Sequence, residues 1–482
     1  MIDISTLKKK VLSLAFQGKL TEQLPSDLGV DQIIDKCRED KQRSIAEGKY
    51  KSEEFRGSIS TTCLKLEIPY NWQYMFISDV ALFQEGPGIM AVDFRTEGVP
   101  LIRIAGMNGK VVTLKGCNYL DPKMVEEKWK HFKLDVGDVV ISSSASLDRI
   151  AEVDDEAAGS IPYTGLIRFK MYGGIDKEYF KWFLKSPYYI EQVNRQKKGG
   201  FIQHYGPSHL RKMIIPIPPL EEQGRISEKL NQIFRYIEVV EELQSEYCSN
   251  LEKLKCKVID AGIHGKLTEQ LPEDGYAEDL YNQIQDEKTK LIKEGKIKKE
   301  KPLPDISEDE IPFEIPKNWK WVRLSDVIDV RDGTHDSPQY QEEGVPLITS
   351  KNLSTGVLDF DNVKYISELD ADKINERSSV DDGDILFAMI GTIGNPVIVR
   401  KRKEFCIKNV ALFKKYEKTD ILIEYLYWFL MLEQYEFKKI VSGGLQPFIS
   451  LKQFRLHLMP LPPLSEQKRI VEKIDALLNV FN

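Results

Sequence analysis

The strongest hydrophobic pattern lies mid-chain, from Leu220 to Ala261. Apolar residues fall at Ile226, Leu230, Ile233, Ile237 and Val240, then at Tyr247, Leu251, Leu254, Val258 and Ala261, with steps of four and three. A period of 3.5 residues held this long predicts a coiled-coil seam. Pro216-Ile217-Pro218-Pro219 fixes an extended lead-in, and Glu221 and Glu222 occupy the first turn, where the helix dipole favours negative charge. At 1.5 Å per residue such a helix is about 60 Å long.

Both ends of the chain repeat pieces of this helix. Pro462-Pro463-Leu464-Ser465-Glu466-Gln467 repeats Pro218-Pro219-Leu220-Glu221-Glu222-Gln223 at an offset of 244, and Ile470, Ile474 and Leu477 continue the seam. Gly18 to Pro25 is identical to Gly265 to Pro272 at an offset of 247, and Ile4, Leu7, Val11 and Leu14 match Leu251, Leu254, Val258 and Ala261. The C-terminus is thus the first half of the central helix and the N-terminus its second half. Packed beside the central helix, the two pieces predict an antiparallel helical pair and a circular, pseudo-twofold chain.

Between the helices the period changes. Short helices are expected over Val30–Arg43 and Asp279–Ile292, followed by a polar lead (Glu47–Thr62) and a charged linker (Lys293–Glu314). Lys296, Lys298, Lys299 and Lys301 can reach phosphate, although a charge run among acids is more simply a solvated linker. Glu67-Ile68-Pro69-Tyr70-Asn71-Trp72 and Glu314-Ile315-Pro316-Lys317-Asn318-Trp319 then open two copies of one domain. Val99-Pro100-Leu101-Ile102 matches Val345-Pro346-Leu347-Ile348, and Gly137-Asp138-Val139-Val140 matches Gly383-Asp384-Ile385-Leu386, as short strands of a mixed sheet core. The aromatic runs Glu178 to Leu184 and Glu424 to Leu430 have helical spacing, which favours packing over base stacking. Gly199-Gly200 and Gly443-Gly444 precede the last strand. The class is α+β: two mixed α/β domains, 67–219 and 314–463, joined by long antiparallel coiled-coil helices. The remaining segments are 1–66, 220–313 and 464–482.

The net charge of −7 argues against a nucleic-acid binder until it is divided by segment. It is +1 over 1–60, +2 over 61–220, −9 over 221–316, −1 over 317–464 and zero in the tail, so the acidity belongs to the spacer and linker. Six scattered cysteines without a Cys-x-x-Cys pair suit a reduced, cytoplasmic chain, with no secretory signal and no membrane-spanning run.

The two domains differ between their shared positions. Arg331-Asp332-Gly333-Thr334-His335-Asp336 stands where the first has Gln84-Glu85-Gly86-Pro87-Gly88-Ile89, and Met389 to Gly394 stands where it has Ser143 to Asp148. One scaffold with divergent loops suggests two surfaces reading two different things. Duplex DNA with half-sites about one helical turn (~34 Å) apart fits such a ruler.

The Pro-x-x-Trp-x-x-x-x-x-Ser-Asp-Val runs at Pro69–Val80 and Pro316–Val327, the Asp332-Gly333-Thr334-His335 turn, Ser442 to Ser450, and both Pro-Pro-Leu-x-Glu-Gln boxes resemble the specificity subunit of type I restriction–modification systems. The resemblance covers nearly the whole chain. It departs where the first domain has Gly199-Gly200-Phe201-Ile202-Gln203-His204 and lacks Asp-Gly-Thr-His. It implies two target-recognition domains, each reading one half of a bipartite asymmetric site in double-stranded DNA. It also implies helices that set the gap and dock two methyltransferase (modification) subunits, which carry S-adenosylmethionine, with endonuclease/translocase (restriction) subunits as further partners. This chain would hold no cofactor, metal or catalytic residue. The alternatives are a coiled-coil protein adaptor without DNA specificity, an enzyme with fused recognition domains, or the specificity subunit of a related methyltransferase–nuclease system.

Catalytic motifs do not support the enzyme reading. Asn395-Pro396-Val397-Ile398 lacks the second proline and the aromatic of an amino-methyltransferase loop, Pro304-Asp305 with Glu314 and Lys317 lies in the charged linker, and no Walker or Rossmann glycine loop occurs. Readout then falls to Arg, Lys, Asn and Gln on base edges, with hydroxyls and further cations on phosphates. The candidates in the first domain are Arg103, Asn108, Lys110, Ser142, Ser143, Ser144, Arg149, Lys197, Lys198 and Gln203. In the second they are Arg331, Thr334, His335, Lys351, Asn352, Thr392, Lys408, Asn409 and Gln446. His335 either contacts DNA or stabilises its own turn. The small positive surplus leaves much of the phosphate contact, and its salt dependence, to the methyltransferase subunits.

Overall fold

The computed structural model describes residues 1–27, 29–47, 54–59, 66–143, 149–196, 205–299, 301–439 and 447–481. The chain divides into two compact units, Met1–Ser245 and Glu246–Asn482. The central helix, Leu220–Ile263, contributes its first half to one and its second half to the other. No helix among the described residues is long and apolar enough to cross a membrane.

Each unit carries a head of the same design. In the first, an antiparallel sheet runs in the order Ala81–Glu85, Leu166–Met171, Val139–Ser142, Ile150–Glu152. A second sheet places Val99–Ile102 between Asn118–Leu120 and a parallel neighbour, Ile161–Pro162. In the other unit the corresponding order is Asp329–Asp332, Val410–Lys414, Ile385–Ala388, Gly394–Ile398, with Val345–Ile348 between Lys364–Ile366 and a parallel Cys406–Ile407. The aromatic helices pack inward. Tyr179, Phe180 and Phe183 are fully buried, as are Tyr425 and Phe429 in the second head.

The helices share the core of the heads. In the first unit the N-terminal helix, Ile4–Phe16, runs antiparallel to the central helix: Lys8 Nζ meets Glu241 at 2.7 Å and Gln244 Nε2 donates to the Ile2 carbonyl at 3.2 Å. Leu12, Ala15, Phe16, Ile226 and Leu230 join one apolar cluster with the head. In the second unit the C-terminal helix, Leu464–Asn479, packs likewise, with Ile259, Ile263, Ile470 and Ile474 in the head's core. A Cβ on Gly262 would lie 2.9 Å from Ile474 Cδ1, so glycine allows this close approach.

The seam departs from the expected register in its second half. Ile226, Leu230 and Ile237 are buried as predicted, but Tyr247 and Leu254 are 61% and 43% exposed while Ile259 and Ile263 are buried. In the N-terminal piece the buried residues are Leu12, Ala15 and Phe16, and Ile4, Leu7, Val11 and Leu14 are only half-buried. The reason is a second packing surface. Phe16 lies 5.2 Å from Tyr179 and 5.6 Å from Phe183, ring to ring, so the head rotates the buried face away from a two-helix seam.

The repeated motifs converge on one buried knot in each unit. Glu222, fully buried on the central helix, accepts from Trp72 Nε1 at 2.8 Å, Gln23 Nε2 at 2.8 Å and Thr21 Oγ1 at 3.2 Å. Glu466 accepts from Trp319 Nε1 at 2.8 Å, Gln270 Nε2 at 2.8 Å and Thr268 Oγ1 at 3.1 Å. The adjoining glutamines, Gln223 and Gln467, cap the proline lead-ins through Pro218 and Pro462 carbonyls. A buried carboxylate is tolerable only when its lone pairs are filled, and these donors fill them. Gly18 and Gly265 adopt φ of +67° and +66° under Pro69 and Pro316, where a Cβ would collide with the proline ring.

The short helices run longer than expected, Val30–Ala46 and Ala277–Lys293. The polar lead is also partly ordered: Ser58–Ile59 pairs with Gln73–Phe76, and Arg56 and Gly57 amides donate to Asp79, which is itself bonded at 2.7 Å to a buried Lys41. The charged linker docks on its head through Arg323, which bonds both Glu310 oxygens at 3.1 Å, and through Lys296, 2.8 Å from Glu417.

Candidate nucleic-acid interface

In the second head, Asp329–Asp332 ends in a tight turn. Gly333 N donates to Val410 O at 2.9 Å and Thr334 N to Ile407 O at 3.0 Å. A Cβ on Gly333 would lie 2.3 Å from Ile407 O, so backbone packs directly on backbone. Asn409, with φ of +55°, faces the turn and donates its amide to Thr334 O at 3.1 Å. Asparagine is among the few side-chain-bearing residues that adopt this conformation readily. His335 lies between them, with Nδ1 2.8 Å from Asn409 Oδ1 and Nε2 2.9 Å from Asp332 Oδ2, while Arg377 pairs with the other Asp332 oxygen. Lys408 Nζ donates to Ser337 Oγ at 2.6 Å, and Ser350 Oγ to Asn409 O at 3.3 Å.

The structure therefore brings Thr334, His335, Lys408 and Asn409 into one polar turn, with exposed Lys351 beside Ser350. Asn352 is buried. Its Oδ1 accepts from Thr349 N and Oγ1, both at 3.0 Å, and so caps the turn Ser350–Leu353. Thr392 is exposed on a segment tied to Pro447 through Gly391 N. Gln446 lies outside the described residues. Arg331 does not join the group: it bonds Asp329 at 2.6 Å and lines a 730 Å³ pocket with Asp381, Asp384 and Lys414. Lys414 holds the Asp381 carboxyl low, whereas burial pushes Asp384 up. The lining mixes six cationic side chains with seven carboxylates. Asn395-Pro396 lies within the strand Gly394–Ile398, with Asn395 at φ +51° and its Nδ2 donating to Ser354 O.

In the first head the equivalent turn has different chemistry. Gly86 N donates to Leu166 O at 2.9 Å, a Cβ there would meet Pro162 O at 2.0 Å, and Glu85 Oε1 accepts from Gly165 N at 3.2 Å. Arg103 lies across the Tyr163 ring, 4.2 Å from its centroid, and donates to Asn118 Oδ1 at 2.9 Å. Arg149 donates to Ile104 O at 3.0 Å. With exposed Asn108 and Lys110 these residues surround the segment 103–111. Ser142 and Ser143 are buried at the end of their strand; Ser143 Oγ has no partner among the described residues. Ser144, Lys197, Lys198 and Gln203 lie outside the described residues.

Arg377 and Ser337 were not singled out from sequence. Arg377 sits in the last turn of the helix Glu368–Ser378, and no local pattern links it to Asp332.

The family model for the type I restriction modification DNA specificity domain matches residues 69–246 and 316–482. The specificity subunit of the type I restriction enzyme EcoAI of Escherichia coli is 27% identical, over 99% of this chain and 90% of that protein. The EcoEI specificity subunit of Escherichia coli is 24% identical over 99% and 89%. A solved chain from a study of complex assembly and conformational transition in a type I R-M system has a TM-score of 0.60 at 19% identity, covering 85% of this chain and 91% of its own, which shows a common fold. With both heads matched and relatives spanning the length of the chain, the protein belongs to the type I restriction modification DNA specificity family.

Proposed function

We propose that this chain is the sequence-reading subunit of a type I restriction–modification complex. Each head reads one half of a bipartite, asymmetric site in double-stranded DNA, and the helices act as spacer and as the docking site for two methyltransferase subunits. The observation that carries this reading is the contrast between identical knots and unlike turns. Glu222 and Glu466 are held by the same donors, while the strand-end turns present Thr334, His335 and Asn409 in one head and Arg103, Tyr163 and Gly86 in the other. A frame built twice with different polar ends suits two unlike half-sites. The family and the names of the relatives support the DNA and the restriction–modification partners.

The chemistry is assigned to the partners. S-adenosylmethionine belongs to the methyltransferase subunits, DNA cleavage to the restriction subunits, and this chain contributes recognition without catalysis. Among the described residues no group of His, Cys, Asp and Glu is arranged to hold a metal. The test is selection from a random duplex library by the chain co-expressed with its methyltransferase subunit. Enrichment of a split asymmetric motif is expected, and no enrichment by an intact complex would favour the adaptor reading.

A further inference from the structure

The first unit contains a pocket of about 410 Å³ between its head and the central helix. Its aromatic floor is Trp182 and Phe234, whose ring centroids are 4.5 Å apart, and Trp182 Nε1 donates to Asn231 Oδ1 at 3.2 Å. Lys110, Lys185 and Arg235 line it, and among the described residues none of these three side chains forms an ion pair or hydrogen bond. Lys181 also lines it but is neutralised by Glu152, at 2.9 Å, and by Glu178. Glu238 is the one remaining lining carboxylate. Lys185 Nζ lies 4.8 Å from the Trp182 ring centroid, and burial, then the charges of Lys110 and Lys181, hold its ammonium below the usual lysine range. Three cations facing Glu238, with Glu178 already paired to Lys181, leave an excess of positive charge that an anion would relieve.

The duplication supplies an internal control. The tryptophan is repeated as Trp428, and Asp475 stands beside it where the first unit has Asn231. By the same offsets, Lys110 corresponds to Gly356, Lys185 to Met431 and Arg235 to Asn479. The scaffold needs the tryptophan in both units. The cations occur in one alone, so packing does not account for them. Lys110 also belongs to the segment 103–111 beside Arg103 and Arg149, which makes the pocket continuous with the proposed reading surface.

We propose that this pocket is a phosphate-binding site, taking one backbone phosphate of the bound duplex and so fixing the register of the first head on DNA. The DNA source rests on the function proposed above, whereas the phosphate chemistry does not. A backbone phosphate carries no base identity, so the site positions the head without altering the bases preferred.

The test uses the full chain with its methyltransferase subunit and a duplex carrying the selected site, with affinity measured across a salt series. The double variant Lys185→Gln/Arg235→Gln should lower the slope of log K against log salt by about one, the loss of one phosphate contact. Lys185→Arg should retain the slope, and the preferred sequence should not change. In a second arm, inorganic phosphate and ATP are titrated into the full chain without DNA. Saturable binding lost in the double variant would support the phosphate site even if no duplex is discriminated, and would identify a free anion as the occupant if DNA fails to compete. An unchanged slope with no phosphate or ATP binding would overturn the proposal. So would loss of the methyltransferase subunit at an unchanged slope, which would make the pocket a contact for an acidic protein segment.

Discussion

Replacing Glu466 by alanine tests whether the buried knot holds the second head to its helices. The change strands the Trp319 indole N–H, the Gln270 amide and the Thr268 hydroxyl. Gln270 Nε2 also reaches the Gly265 and Thr268 carbonyls, so the indole carries most of the loss. A buried donor left unmade costs about 1–3 kcal/mol, more when its partner was charged. With one full loss and two partial ones, the expected cost is about 2–4 kcal/mol. For a unit of this size each kcal/mol moves the midpoint by about 2–4 °C, which gives a fall of roughly 5–15 °C. The assay is thermal unfolding of the full chain followed by far-UV circular dichroism, with the units allowed separate transitions. Trp319→Phe should cost about 1.5–3 kcal/mol, and the double variant should show a coupling of about 1 kcal/mol or more. A fall below about 2 °C, or full additivity of the two changes, would refute the knot as the joint.

Glu222→Ala should lower the transition of the first unit by a similar amount, measured the same way, because its donors are the same three residue types. Gly333→Ala should shift the Thr334–His335 turn off Ile407 O and weaken selection of one half-site by tenfold or more, while Gly86→Ala weakens only the other; library selection with each variant checks this, and loss of both half-sites from either change would defeat the independence of the heads. Lys41→Met leaves Asp79 buried without its 2.7 Å partner and should cost about 3–5 kcal/mol in urea unfolding. The Arg225 guanidinium holds the Asp27 carboxyl below the usual range, so this pair stabilises the fold above the ordinary carboxylate pKa of about 4 and loses its contribution as pH falls through the lowered value. Asp27→Asn should therefore be less stable than wild type at pH 6, with a gap that closes below about pH 4 in urea midpoints; a gap independent of pH would contradict it.

The repeats made the architecture legible. Offsets of 244 and 247 identify the terminal pieces as halves of the central helix, and each packs on the half its sequence implies. What the repeated residues do was not legible. Trp72 and Glu222 are 150 positions apart, and periodicity says nothing about so distant a pair. The seam register was misread at Tyr247 and Leu254 because a heptad assumes one packing partner, whereas these helices also meet the heads. Among the reading candidates, residue type alone could not separate Asn409, which faces the turn, from Asn352, which caps one.

The knot bears on inheritance. Its donors and acceptor lie in stretches that the two copies share, and the clasp from Gly18 to Pro25 is letter for letter that from Gly265 to Pro272. A head that carries this tryptophan would arrive with the donor that its new helix already expects. Exchange of a whole head is then a change of vocabulary made without rewriting the grammar, and new recognition can arise in one crossover where point mutation would have to rebuild a surface residue by residue.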